Sequence, residues 1–392
     1  MTPMVESQFA VTGSSKAPIR KKVSPYYFRR FILGIGFAVL LALPALDQLV
    51  GLSASFKSTE KRILTPFPTL HFPHLLTYIQ DFNQYYKENF GWRNALFYQY
   101  SYWKYKVLET SPLPDKVVIG KHGWFYPGNS LAQVADQHKG QQPIGQNTLQ
   151  LIAKTLTRYQ EQLAKQGARL YVIIAPDSYT IYPENLPDYF KGDSNSSNFD
   201  YLKQYLAQQT TIPLIDVRDS LRSAKSKHVV YCQTDTHWNN YGSLIASMAL
   251  VSRIRQDFPG MPSPKTSDYS IQPVKGDGGD LVTMLALNRE YTDSINYKVQ
   301  PAPYLKSQEV ETISQSHSLP KQRFITAKKD LPKLLFTGDS FSYSMNTFVP
   351  NYFSESYIVR DGHLDMKVVN KEKPDVVVVE IVERNINLLS QL

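Results

Sequence analysis

The sequence predicts an α/β protein, a mostly parallel sheet with helices on both faces, preceded by an N-terminal transmembrane helix. Three observations predict it. Apolar runs of strand length, such as 169–177 and 374–382, alternate with segments whose apolar residues recur at three and four. That alternation is the pattern of βα units, which build a parallel sheet. Residues 31–46, FILGIGFAVLLALPAL, carry no charge.

The first element is a basic tail at 1–30. It holds Lys16, Arg20, Lys21, Lys22, Arg29 and Arg30 against one acid, Glu6, and so carries +5 of the net +9. The basic balance is thus a property of the tail. No basic cluster falls on a folded face, which argues against a nucleic-acid partner. The apolar segment at 31–50 is short for a bilayer, which takes about twenty apolar residues, but Tyr26, Tyr27 and Phe28 suit the headgroup layer. Positive residues stay cytoplasmic, so the chain beyond residue 50 is expected in the periplasm or another extracytoplasmic space. A cleaved signal peptide is the rival reading. The long basic region and the lack of an A-x-A site favour an anchor retained in the inner membrane.

Residues 51–110 read as a connector and an aromatic helical segment. STEKRILTPFPTLHFP (58–73) is proline-rich and predicts an extended connector. Tyr78, Phe82, Tyr85, Tyr86, Phe97, Tyr98 and Tyr105 have helical spacing, interrupted at Gly91 and Trp92. Their density predicts a packed helix pair rather than a carbohydrate-stacking surface.

Residues 111–392 carry the α/β pattern. DKVVIG (115–120) predicts a short strand, and a glycine turn and WFY (124–126) come next. Leu149, Ile152, Leu156, Tyr159 and Leu163 mark one helical face. RLYVIIAPD (169–177) is a buried-strand pattern. After it come a helix at 199–206, a strand at 212–217, and a helix with Tyr241, Leu244, Ile245, Met248 and Val251 on one face. KLLFTG (333–338) and PDVVVVEIV (374–382) predict two more buried strands. The polar segments 188–198 and 301–330 predict surface loops or inserts. Chemistry in such sheets gathers at the C-terminal ends of strands. Asp177, Ser340, and Glu380 with Glu383 and Arg384 are expected there.

Two segments carry the parts of a nucleophilic triad. TDTHWNNYG (234–242) sets Asp235 two residues before His237, and TGDSFS (337–342) sets Ser340 in a turn after an apolar run. A serine hydroxyl needs a base to take its proton and the base needs a carboxylate to orient it. Backbone N–H groups after Ser340 are expected to face a developing oxyanion. Asp235 with His237 is a thin metal-ligand set, and His228 and His363 are not spaced to complete it. No metal and no cofactor are expected. The single cysteine, Cys232, rules out an intrachain disulfide and reads as a small buried residue leading into the loop. Glu380 and Glu383 could suggest a glycosidase pair, but two acids do not specify one without geometry. Glu383 and Arg384 read instead as a structural ion pair.

DTHW with GDSFS about a hundred residues later resembles the alginate O-acetyltransferase family, the AlgJ and AlgX type of SGNH-hydrolase-like proteins. TEKRILTPFP, YIQDFNQYYKENFGWRNAL, GKHGWFYPGN, APDSYTIYPENLP, GDL at 279–281 and PDVVVVEIVERN are also similar to that family's segments. The resemblance runs from about residue 58 to the C-terminus. It implies an SGNH-like domain in which Ser340 is the nucleophile, His237 the general base and Asp235 the residue that orients it. Ordinary SGNH hydrolases put serine first, whereas here the acid and base come first, as in the acetyltransferases. Asp177 and Ser178 stand where relatives carry lysine, which alters the electrostatics expected on the acceptor side.

The resemblance implies acetyl transfer to hydroxyls of an exported polysaccharide, with a membrane-bound O-acyltransferase as acetyl donor. Two other readings stay open. The same triad could serve an acetyl esterase, or the chain could be a non-catalytic glycan-binding scaffold of an export complex.

Overall fold

The computed structural model describes residues 25–59, 63–190, 196–291, 295–313, 320–360 and 362–392. The basic tail lies outside the described residues up to residue 24. The same holds for the core of the polar segment 188–198 and for part of 301–330. The chain divides into two compact units, Met1–Lys57 with Arg62–Ala95 and Ser58–Lys61 with Leu96–Leu392.

In the first unit a helix runs from Pro25 to Val50, and its stretch Arg29–Val50 is long and apolar enough to cross a membrane. Helix Leu75–Asn89 ends where Gly91 meets Pro44; a Cβ on Gly91 would lie 2.1 Å from the Pro44 carbonyl oxygen. Trp92 adopts φ 67° and its N–H donates to Asp47 Oδ2 at 2.9 Å. Phe82 and Tyr86, expected inside a packed helix pair, are 37% and 41% exposed. Residues 78, 82 and 86 are four apart and so lie in one line on the helix. Their rings stack along it, Tyr78 on Phe82 at 6.3 Å and Phe82 on Tyr86 at 6.4 Å, rather than filling a core.

The described residues of the second unit hold eleven strands: β1 (Val117–Ile119), β2 (Phe125–Pro127), β3 (Arg169–Ala175), β4 (Leu214–Asp216), β5 (Tyr269–Val274), β6 (Asn296–Pro301), β7 (Gln308–Ile313), β8 (Lys321–Ile325), β9 (Lys333–Thr337), β10 (Glu355–Val359) and β11 (Val376–Val382). Seven of them form one sheet in the order β4-β3-β11-β9-β10-β8-β7. The first five are mutually parallel, and β8 and β7 continue the sheet antiparallel. The segment 301–330, expected as surface loop or insert, thus supplies β8 and the edge strand β7. β7 is exposed along its whole length, so no apolar run announces it. β10 is likewise absent from the expected strands; its short run SESYIV opens with three polar residues, Ser354, Glu355 and Ser356.

Alternation along the central strands builds the two covered faces. Tyr171, Ile173 and Ala175 of β3 join Leu244, Leu250 and Ile254 of helix Asn240–Asp257 in one core. Leu170, Val172 and Ile174 join Ile152, Leu156 and Leu163 of helix Gln146–Ala164 in the other. β11 divides in the same way, with Val376 and Val378 on the first side and Val377 and Val379 on the second. Because β3, β11, β9 and β10 run parallel, Asp177, Glu383, Ser340 and Arg360 all leave the sheet at the same edge.

Candidate active site

β9 is buried from Leu334 to Thr337 and ends in the turn Gly338-Asp339-Ser340. The turn is pinned from beneath. Asp339 accepts the N–H groups of Phe341 (2.9 Å) and Val382 (2.8 Å), and its own N–H donates to Glu380 Oε2 at 3.0 Å. Glycine is required at 338, since a Cβ there would come 2.7 Å from Glu380 Oε2 and 2.8 Å from Ser342 Cβ. The side chain of Ser340 is left exposed at the top of this turn.

The loop 230–239 is closed by an antiparallel bridge between Tyr231 and Trp238, with Asn239 N–H donating to Val230 O at 3.1 Å. The β1–β2 hairpin braces it, through Phe125 N–H to Gln233 O at 2.8 Å. Trp238 ties it to the serine turn, donating from Nε1 to Phe341 O at 3.1 Å and to Ser344 Oγ at 3.0 Å. Cys232 is half-buried rather than buried, and its N–H donates to His237 O.

These two loops bring the three expected residues together. His237 Nε2 lies 2.8 Å from Ser340 Oγ, and His237 Nδ1 lies 2.6 Å from Asp235 Oδ1. His237 N–H also donates to Asp235 Oδ1, at 3.0 Å, which sets the loop around the carboxylate. With a carboxylate on Nδ1, the proton sits there and Nε2 is left with its lone pair toward the serine.

A fourth residue was not singled out from sequence. Asp280, inside the GDL segment, comes after Gly279, whose absent side chain lets the two loops meet; a Cβ there would lie 2.5 Å from Asp235 Cβ. Asp280 N–H donates to Asp235 Oδ2 at 2.9 Å. Asp280 in turn accepts from Thr236 N–H at 2.9 Å and Thr236 Oγ at 2.8 Å, and its Oδ2 is 4.0 Å from His237 Nδ1. Burial raises the Asp235 carboxyl, but the His237 hydrogen bond and charge and the Asp280 and His237 N–H groups outweigh it and hold it below 3.8. Asp280 moves the other way, raised by burial and by the Asp235 charge.

Asp235, His237 and Asp280 each offer a ligand atom within a span of 4.8 Å. A metal there would compete with bonds already made. Both Asp235 oxygens and both Asp280 oxygens accept hydrogen bonds.

The expected oxyanion donors are corrected. Phe341 N–H is spent on Asp339 Oδ1 and Ser342 N–H on Asp339 O, because the aspartate folds the turn back on itself. The N–H of Ser340 itself makes no hydrogen bond among the described residues and remains for an oxyanion.

The other acids at this edge are corrected too. Arg384 does not pair with Glu383. It donates to Asp177, which is fully buried and also lies 3.6 Å from His138 Nε2. Asp177 therefore faces inward, not toward an acceptor. Glu383 accepts from Asp177 N–H at 3.0 Å and Thr180 Oγ at 2.6 Å. Glu380 sits under the serine turn, 1% exposed, with Oε1 unpartnered among the described residues. The two glutamates thus serve different loops and form no hydrolytic pair.

Burial, and then the Asp339 charge, raises the Glu380 carboxyl well above 4.5. The folded protein therefore holds a proton there that the unfolded chain releases above that value. Its stability is full at lower pH and declines as pH rises toward the folded value, by up to about 1.4 kcal/mol per pH unit for one proton. Thermal melting of the full chain should fall as pH rises above 4.5, and Glu380→Gln should flatten that fall. An unchanged slope in the variant would show that Glu380 is ionised in the fold.

A family model for the SGNH hydrolase-like domain, acetyltransferase AlgX, matches residues 117–356, which include the whole of the Asp235–His237–Ser340 arrangement. The chain belongs to this family. It is similar to the probable alginate O-acetylase AlgJ of Pseudomonas syringae pv. tomato, 32% identical over 177 residues, covering 44% of this chain and 42% of that protein. The match thus spans under half the length of that relative. The probable alginate O-acetylase AlgJ of Pseudomonas aeruginosa is 24% identical over 298 residues, 70% of this chain and 72% of that protein. Among solved structures, a DHHW family protein from Eubacterium siraeum aligns with TM-score 0.52 and 14% identity, over 70% of this chain and 97% of that one. Bacillus cereus PatB1 with a sulfonyl adduct aligns with TM-score 0.52 and 12% identity, over 68% and 93%. At that identity the two structures show a shared fold alone.

Proposed function

We propose that this chain is a membrane-anchored, extracytoplasmic O-acetyltransferase that moves acetyl groups through Ser340 to hydroxyls of an exported polysaccharide. The observation that carries the reading is the hydrogen-bonded line from Ser340 Oγ through His237 to Asp235, at 2.8 Å and 2.6 Å. Family membership and relatives named alginate O-acetylase support acetyl transfer to a polymer as its use.

The reaction runs in two halves. Ser340 Oγ attacks the carbonyl carbon of an acetyl donor while its proton passes to His237 Nε2. The carbonyl oxygen takes the negative charge and the Ser340 N–H donates to it. The intermediate collapses, the donor's leaving group departs with the proton from His237, and acetyl-Ser340 remains. An acceptor hydroxyl then gives its proton to His237 Nε2 and attacks the acetyl carbon. The acetylated sugar leaves and Ser340 regains the proton. Asp235 stays ionised throughout and stabilises the imidazolium that forms twice.

The helix Arg29–Val50 would hold the chain at the inner membrane, with the basic tail on the cytoplasmic side. Tethering raises its effective concentration beside a membrane-bound O-acyltransferase that supplies acetyl groups.

Exposure of Ser340 favours one second reading, an acetyl esterase, because water also reaches the acetyl-serine. Competition separates the two. Given an activated acetyl ester with polysaccharide in water, the enzyme should acetylate the polymer at the expense of acetate release. Acetate release that is indifferent to polymer concentration would overturn transfer in favour of hydrolysis.

A further inference from the structure

Helix Leu75–Asn89 turns an apolar stripe outward. Leu75, Ile79, Phe82 and Tyr86 recur at four, three and four, so they fall on one face of the helix. All four are exposed, between 37% and 53%. The far side is polar, with Thr77, Gln80, Gln84 and Lys87. A third side holds the helix to its unit. Glu88 is buried and accepts Thr65 N–H at 2.7 Å, Asn89 Nδ2 donates to Thr65 O at 2.9 Å, and the Tyr85 ring meets Phe67 at 5.2 Å. Phe67 also touches Phe82, at 6.1 Å, but is itself exposed and widens the open surface. Surface helices normally turn such a stripe to the core, and an open one of this extent marks a contact with something else.

The neighbouring helix says what that contact is. The end of helix Leu75–Asn89 is fixed to the last turns of helix Pro25–Val50, the one read as the anchor. Gly91 lies against the Pro44 carbonyl, Gln48 Nε2 donates to Asn89 O at 2.8 Å, and Trp92 N–H donates to Asp47 Oδ2 at 2.9 Å. Asp47 also takes Ser53 N–H at 2.8 Å and Ser53 Oγ at 2.5 Å. A carboxylate with this many donors belongs at the headgroup layer, not in hydrocarbon. The fixed end of helix Leu75–Asn89 therefore stands at the level where the apolar stretch leaves the bilayer. With 15 residues and a polar far side, the helix is too short and too polar to cross a membrane itself. Leu70, Phe72 and Leu76 at its other end are exposed as well and continue the apolar surface. Asp81 and Glu88 against Lys87 leave the helix without the basic face that anionic lipid would select.

We propose that helix Leu75–Asn89 is an interfacial helix that lies on the outer surface of the bilayer, with Leu75, Ile79, Phe82 and Tyr86 set into the boundary between headgroups and acyl chains. The inference rests on the reading of residues 31–50 as a membrane anchor. The stacked rings of Phe82 and Tyr86 suit that boundary, where aromatic side chains collect. The chain then holds the membrane by two elements, one crossing it and one lying on it.

The test uses the full chain reconstituted in phosphatidylcholine vesicles, with its single cysteine removed as Cys232→Ser. Ile79→Cys and, separately, Thr77→Cys on the far side carry a nitrobenzoxadiazole label. A lipid with a nitroxide high on its acyl chain should quench the label at 79 about threefold more than the label at 77. Iodide on both sides of the membrane should show the reverse order. Leu75→Cys and Gln84→Cys form a second pair and should repeat the contrast, which guards against a local effect of one label. Equal quenching within either pair overturns the proposal. So does a label at 79 that stays open to iodide, a result that would give the stripe to a protein partner absent from the vesicles. Flotation of the unlabelled chain with the vesicles reports on the anchor separately. A chain that fails to float overturns the anchor and this inference together, whereas one that floats with 79 open to iodide keeps the anchor and loses the interfacial helix.

Discussion

Ser340→Ala is expected to lose acetyl transfer by about 10⁴-fold to 10⁶-fold in turnover, the range for removal of a serine nucleophile acting with its base. The structure gives the reason. Ser340 Oγ is the atom within 2.8 Å of His237 Nε2, and the turn that presents it is fixed by Asp339 and Glu380, not by the serine side chain. The substitution removes an exposed hydroxyl and leaves those bonds intact, so melting should shift by less than about 0.5 kcal/mol in stability. The measurement is turnover with an activated acetyl ester and a polysaccharide acceptor, alongside thermal melting. Retention of activity within tenfold of the parent would remove Ser340 from the mechanism.

Asp235→Asn should cost about 10³-fold to 10⁴-fold in turnover with little change in acceptor KM. An amide at 235 can present its NH₂ to His237 Nδ1, which favours the tautomer with Nε2 protonated and so blocks proton uptake from Ser340. The effect is placed below that of Ser340→Ala because Asp280 Oδ2 stands 4.0 Å from His237 Nδ1 and can offer partial support. Asp235 is held below 3.8 in the parent, so its titration lies under the working range and does not set an acid limb near neutrality. Turnover measured from pH 5 to pH 9 should therefore fall across the whole range in the variant. Loss confined to one limb would contradict the orienting role.

Much of this site was legible because its parts are local signals. Asp235 and His237 lie two apart in one loop, and Ser340 ends a run of apolar residues that could only be a buried strand. The central sheet was legible for the same reason, since β3, β9 and β11 are continuous apolar runs. The features that escaped depend on pairing across the chain. β7 and β8 are held by hydrogen bonding at a sheet edge, so their residues stay polar and resemble a loop. Asp280 joins Asp235 across forty-five positions, and only the glycine before it hints that two backbones approach closely. Arg384 was paired with its sequence neighbour, but along β11 and the turn after it the side chains diverge, and the partner comes from the end of adjacent β3.

The central claim is that acetyl groups pass through the Ser340 hydroxyl. It is tested most directly by quenching the full chain in acid during turnover with an activated acetyl ester and mapping the acetyl group by peptide mass spectrometry. The account predicts one acetyl ester on the peptide that contains Ser340, chased off when acceptor polysaccharide is added before the quench. An unmodified Ser340 under conditions where polymer acetylation proceeds would contradict it.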